Sequence, residues 1–334
     1  MADVNPRHRV FCWVFDLMGW LRVQDMSPGS LRRHRKPFSP PWAAHLVQGK
    51  VPEDVTFRDE TIEGPNGAPL RLRVYTPDGV PLQDRPLVIN LHGGGWVLAN
   101  VEMTEWMCGQ LAGRLGAVVV SVDYRLAPEH PAPAAYDDCW HAVGHFLQHA
   151  SEYGIDPNRW AAFGDSAGGN LSALLAIGHR DAVRAATADR DLAARARVGT
   201  MRVQGLIYPV TDLTCATPSY ERHAEAPVLT RAAMLAFRRH YLGSPASPAP
   251  DDPAVSPHFC TDLTGLPPAI VTIAERDPLC DEALIYADQL RRAGTTVEVD
   301  LHEGVPHGFT TMPGTSSAAG PAADRIVTFF RRHL

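Results

Sequence analysis

From residue 55 onward the chain breaks into short runs whose polarity pattern assigns each to a place in a sheet. Two of them, VTFRDETI (residues 55–62) and LRLRVYTP (70–77), alternate polar and apolar positions. That pattern predicts antiparallel strands at a sheet edge. The next run, LVINL (87–91), is almost continuously apolar, as expected of a parallel strand buried on both faces. AVVVSVDY (117–124), RWAAFGD (159–165), VQGLIYP (203–209), AIVTIAE (269–275) and VEVDLHE (297–303) read the same way. Segments of helical period fall between them, over 104–115, 135–153, 168–179, 282–293 and 322–333. Strands alternating with helices predict an α/β protein with a mostly parallel sheet covered on both faces.

Two segments stand outside that alternation. Between the strands at 203 and 269, residues 211–268 hold a helical piece, TRAAMLAFRRHYLG (230–243), and a Pro-rich loop, SPASPAPDDPAVSP. This insertion is long enough to cover something. At the other end, VFCWVFDLMGWL (10–21) places Val10, Trp13, Val14, Leu17, Trp20 and Leu21 at helical spacing, which predicts an amphipathic helix packed on the protein's own body. Asp16 interrupts its apolar run and no A-x-A site follows, which argues against a signal peptide. The run is also too short to span a bilayer. The expected organisation is N-terminal cap helices over 1–50, a first core part over 51–210, a cap insertion over 211–250 and a second core part over 251–334.

Composition adds limits rather than direction. The 334 residues are 45% hydrophobic and 20% charged, with a net charge of −6, so nothing invites nucleic acid or an anionic membrane. Six scattered cysteines show no metal-ligand spacing and read as reduced, mostly buried thiols of a cytoplasmic protein.

Chemistry concentrates in three places. Gly164-Asp165-Ser166-Ala167-Gly168 fits G-x-S-x-G between a strand and a helix. A tight turn there forces a strained backbone on Ser166, requires small neighbours, and lifts the hydroxyl above the carboxyl edge of the sheet. Serine is a weak nucleophile at neutral pH and needs a base that is itself oriented by a carboxylate. Asp277 follows the strand ending at 275, in RDPLCDEAL, whereas Asp281 stands where a helix N-cap is expected. Past the last strand, EGVPHGF sets His307 in a Gly-flanked loop, while His302 alternates within the strand and reads as structural. The third place is LHGGGWV (91–97), whose glycines let backbone N–H groups point inward. Gly93 and Gly94, joined by Ala167 at the helix start, are the expected oxyanion donors. No Walker lysine and no G-x-G-x-x-G fingerprint accompany them, which disfavours phosphate.

Taken in order, His92-Gly93-Gly94-Gly95, DYRLAPEHPAPAAYDD (123–138), Gly-Asp-Ser-Ala-Gly-Gly, DPLCDE and HGF resemble the bacterial hormone-sensitive-lipase-like esterases, from about Glu63 to the C-terminus. The resemblance implies an α/β-hydrolase fold and a serine carboxylesterase, and the expected reaction is hydrolysis of a small-molecule ester of short to medium acyl chain through an acyl-enzyme. Its triad would be Ser166, Asp277 and His307, with no cofactor and no metal. A cap of N-terminal helices plus the insertion is implied too, and a homodimer is common in such a family. Trp96, Trp13 and Trp20 are the candidate aromatics of the substrate pocket. An amidase or arylformamidase would use the same triad on another leaving group. A non-catalytic ligand-binding relative of the fold, by contrast, usually lacks a triad member, and here all three are present.

Overall fold

The computed structural model describes Arg9, Cys12, Trp13 and residues 20–36, 41–81, 83–188 and 199–334. Among them are strands β1 (Val55–Glu63), β2 (Pro69–Pro77), β3 (Arg85–Leu91), β4 (Val118–Val122), β5 (Ile155–Asp165), β6 (Met201–Ile207), β7 (Ala269–Arg276) and β8 (Val297–Pro306). They form one sheet in the order β1-β2-β4-β3-β5-β6-β7-β8. β2 runs antiparallel to both of its neighbours, and every pairing from β4 to β8 is parallel. The alternating runs thus occupy one edge and β3 to β7 the interior, whereas the run over 297–303, expected to be buried on both faces, forms the other edge as β8 and leaves Leu301 44% exposed.

The principal helices are α1 (Pro28–His34), α2 (Pro41–Gln48), α3 (Glu105–Leu115), α4 (Ala134–Gln148), α5 (Ala167–Ala188), α6 (Arg231–Tyr241), α7 (Cys280–Arg292) and α8 (Ala319–His333). The inner strands feed two cores at once. Leu87, Ile89 and Leu91 of β3 join a cluster with Phe146 of α4, Leu171 of α5 and Leu290 of α7. Val88, between them, joins Leu111 of α3 and Phe330 of α8 on the opposite face. This period of two, apolar on both sides, is why these strands carry no polar alternation.

The polar face of β1 and β2 is also put to use. Arg73 of β2 reaches Asp59 at 2.6 Å and also Glu102 and Glu105, while Arg71 reaches Glu102 at 2.6 Å. These pairs anchor the 3-10 turn Val101–Thr104 that precedes α3 and carries Met103.

Between β6 and β7 the chain leaves the sheet. A short helix, Pro218–Arg222, is followed by α6, whose N-cap Thr230 accepts from the Ala233 N–H at 3.1 Å. α6 packs against the N-terminal turn Trp20–Asp25. The insertion is tied to the start of α7: buried Glu282 accepts from the N–H groups of Thr211 (2.7 Å) and Asp212 (3.2 Å), and Ser219 Oγ donates to the Pro278 carbonyl at 2.5 Å. The helix expected over 10–21 lies almost wholly outside the described residues. Among the described residues, no helix is long and apolar enough to cross a membrane.

Candidate active site

The turn from β5 into α5 places Ser166 at φ +55°, a left-handed conformation that a serine adopts only when the surroundings impose it. Its N–H donates to the Ile207 carbonyl at 2.8 Å, and its own carbonyl accepts from Asn170 N–H (3.1 Å) and Val210 N–H (3.2 Å). A Cβ on Gly164 or on Gly168 would run into the Leu91 carbonyl of β3. The two glycines therefore let the elbow lie against the neighbouring strand, and Ser166 stands at the N-terminus of α5 with the Ala167 N–H beside it.

The sheet edge brings two further groups to the same place. Asp277, fully buried just past β7, accepts the Leu279 N–H on Oδ1 at 2.9 Å and the His307 Nδ1–H on Oδ2 at 2.6 Å. With Nδ1 engaged, Nε2 is the ring nitrogen left to act. His307 follows β8, with Gly308 (φ +75°) allowing the turn behind it. The ring of Tyr208, whose hydroxyl lies 2.5 Å from Thr310 Oγ1, packs 4.5 Å from the imidazole. His307 and Ser166 line one cavity. His302 belongs to a different neighbourhood: its Nε2 lies 2.9 Å from Asp300 Oδ2 and its ring packs on Phe309. Asp281 sits in the first turn of α7, one residue past the helix start and two past the N-cap Leu279, paired with Arg222.

The glycine loop departs from the sequence expectation by one residue. The Gly93 N–H donates to Asp165 Oδ1 at 2.9 Å and is not free for an oxyanion. Gly94 (φ +101°) and Gly95 (φ +62°) follow it along the cavity wall, so the candidate donors are Gly94, Gly95 and Ala167. Three identical residues in a row cannot reveal which N–H a carboxylate 72 positions away will claim. His92, just before them, is buried and stacked on Tyr124 at 4.2 Å, and burial pushes its pKa below the usual imidazole range.

The pocket aromatics also differ. Trp96 is fully buried, at φ +61°, with its indole stacked on Tyr241 of α6 at 4.2 Å, and it does not line the cavity. Its side chain belongs to the same buried cluster as Leu87 and Leu171. Trp13 is 63% exposed and is not on the cavity wall, and the side chain of Trp20 lies outside the described residues. The wall is made instead by Leu98 and Met103 of the core and by Leu229, Ala233 and Phe237 of the insertion. A Cβ on Gly95 would strike the Phe237 ring, so the loop and α6 are in close contact. Phe237 was readable only as part of an amphipathic helix whose partner the sequence does not name.

Asp165 is the charged group that motif reading passed over. Burial raises its pKa from 3.8 to about 6, against the lowering influence of His307 and the Gly93 N–H. Between those values the folded protein holds a proton that the unfolded chain has lost, so this group lowers stability as pH rises, most fully above pH 6. Asp165→Asn retains an acceptor for Gly93 without that charge. It should be more stable than wild type at pH 8, by up to about 2 kcal/mol, and no more stable at pH 4. Thermal unfolding at both pH values checks this, and an equal difference at each would refute it.

Serine, imidazole and buried carboxylate meeting at the carboxyl edge of a mostly parallel sheet define a hydrolase-class site. The sequence matches the alpha/beta hydrolase fold family over residues 88–311, and the chain belongs to that family. It is 38% identical to the esterase LipI of Mycobacterium tuberculosis over 86% of this chain and 85% of the relative. It is 36% identical to the carboxylesterase NlhH of the same organism, over 87% and 88%. Among solved structures, it is similar to the hyperthermophilic esterase of the archaeon Pyrobaculum calidifontis, with a TM-score of 0.82, 34% identity and 98% of each chain covered.

Proposed function

We propose that the protein hydrolyses carboxylic esters of short to medium acyl chains through an acyl-enzyme. In this reading His307 Nε2 takes the proton of Ser166 as Oγ attacks the ester carbonyl. Asp277 holds the imidazole by its Nδ1–H and stabilises the imidazolium. The tetrahedral oxyanion is met by the N–H groups of Gly94, Gly95 and Ala167, which are fixed before reaction and require no reorganisation. His307 then returns the proton to the departing alcohol, and water repeats the sequence to release the acid. The observation that carries the proposal is the 2.6 Å His307–Asp277 hydrogen bond beside a Ser166 strained to φ +55° in one cavity. Six unpaired cysteines, five of them buried, suit a reducing compartment, and we place the protein in the cytoplasm.

Acyl preference follows from the cavity wall. Leu229 and Phe237 give the cavity that holds Ser166 an apolar wall, which favours uncharged acyl groups. For p-nitrophenyl esters from acetyl to decanoyl, kcat/KM should peak at short to medium length. Phe237→Ala should shift that peak to longer chains, gaining up to about fourfold for each methylene newly buried. The matching anilides should react about a hundredfold more slowly or less. Unchanged profiles in Phe237→Ala would remove the ring from the acyl path, and anilides cleaved as fast as esters would favour the amidase reading.

A further inference from the structure

Just past α1, the side chain of Arg35 joins the N-terminal segment to the glycine loop. Arg35, 18% exposed, donates from Nε to the Val97 carbonyl at 2.8 Å. Its Nη2 donates to the Ala127 carbonyl at 2.6 Å and to Glu129 Oε2 at 2.8 Å. The Arg35 carbonyl accepts from Asn100 Nδ2 at 2.7 Å, and Arg32 holds the other Glu129 oxygen at 3.1 Å. One guanidinium thus meets two carbonyls and a carboxylate from two separate segments, a planar fork that no other side chain reproduces.

These contacts fall on the part of the loop that sets the direction of its N–H groups. Val97 N–H and Leu98 N–H both donate to the Gly94 carbonyl, at 3.1 and 2.9 Å. The neighbouring Trp96 carbonyl accepts from Ala127 N–H at 2.8 Å. Arg35 therefore pins Val97, and Val97 closes a turn onto Gly94. Because the peptide unit is planar, the orientation of the Gly94 carbonyl fixes that of the Gly95 N–H. Glycines at φ +101° and +62° have wide conformational freedom and need such restraint from outside.

We propose that Arg35 is a positioning residue for ester hydrolysis: through Val97 it holds the Gly94-Gly95 backbone in the geometry that receives the oxyanion. The N-terminal segment then acts on the chemical step. The inference rests on the reading above, that this loop supplies the oxyanion donors.

The test compares wild type with Arg35→Ala, Arg35→Lys and Arg35→Gln, using p-nitrophenyl acetate and the phosphylating agent diethyl p-nitrophenyl phosphate. In Arg35→Ala, kcat should fall about tenfold to a hundredfold with KM within about threefold, because the lost contact matters only as charge develops. The phosphylation rate should fall in parallel. Arg35→Lys, with one point donor in place of the fork, should lie between, and millimolar ethylguanidinium should restore part of kcat in Arg35→Ala alone. If Arg35→Ala does not fold, the lysine and glutamine variants carry the same comparison. A rise in KM at constant kcat, or hydrolysis and phosphylation at wild-type rates, would overturn the role of Arg35 while leaving the site reading intact. Failure of the phosphate to modify Ser166 in wild type would instead overturn the site reading, and the inference with it.

Discussion

Ser166→Ala should lower kcat/KM by about 10⁴-fold or more, with the fold preserved. The serine is 6% exposed, and what holds it in place is its backbone: N–H to Ile207, carbonyl to Val210 and Asn170. Alanine keeps all three bonds and meets nearly the same penalty at φ +55°, so stability should change by less than about 1 kcal/mol. Loss of Oγ removes the atom that would become acylated. The cavity, the N–H groups and the imidazole stay, and any residual rate should come from them. The checks are steady-state hydrolysis of p-nitrophenyl acetate, thermal unfolding, and labelling by a fluorophosphonate, which should disappear. Residual activity within tenfold of wild type would eliminate Ser166 as nucleophile.

The parts of this protein that could be read from its sequence are those where local pattern and tertiary environment say the same thing. β3, β4 and the interior strands after them are buried on both faces, and their residues are apolar at every position that either core uses. The elbow was legible because its steric demand is local: Gly164 and Gly168 flank Ser166 within the same turn, and a side chain on either meets Leu91. Asp277 and His307 stood out because each follows a strand, and all parallel strands end on one edge. Gly93 and Trp96 were misread for a different reason. The Gly93 N–H is claimed by Asp165, and Trp96 is drawn onto Tyr241, so in each case a partner far along the chain decides. An aromatic next to a glycine loop reads the same whether it faces substrate or packs into the core. Phe237 and Arg35 were hidden likewise: one looks like any core residue of an amphipathic helix, the other like any basic residue in an Arg-rich stretch. Their roles arise from the chain that α6 and the N-terminal segment happen to touch.

The imidazole gives the second large effect. His307→Ala should fall nearly as far as Ser166→Ala, about 10⁴-fold in kcat/KM, because base and nucleophile act as a unit. Unlike the serine variant it should also lose stability. Asp277 is fully buried, and without the His307 Nδ1–H its Oδ2 loses its partner, leaving the carboxylate with the Leu279 N–H on Oδ1. Such an uncompensated buried charge costs on the order of 3 kcal/mol. His307→Gln, which can offer an amide N–H to Asp277 but cannot act as a base, separates the two effects: the fold should recover while catalysis does not. The residual rate of either variant should rise in proportion to hydroxide, a slope of about one in log rate against pH, because solvent hydroxide must then do what the imidazole did. His302→Ala serves as the contrast. Its ring leans on Phe309 and its Nε2 on Asp300, a carboxylate that keeps Arg325 at 3.0 Å when the imidazole is removed. That variant should stay within about threefold of wild-type kcat/KM once corrected for folded protein. Full activity in His307→Gln together with a collapse in His302→Ala would show that His302, within β8, and not His307, just past it, is the base.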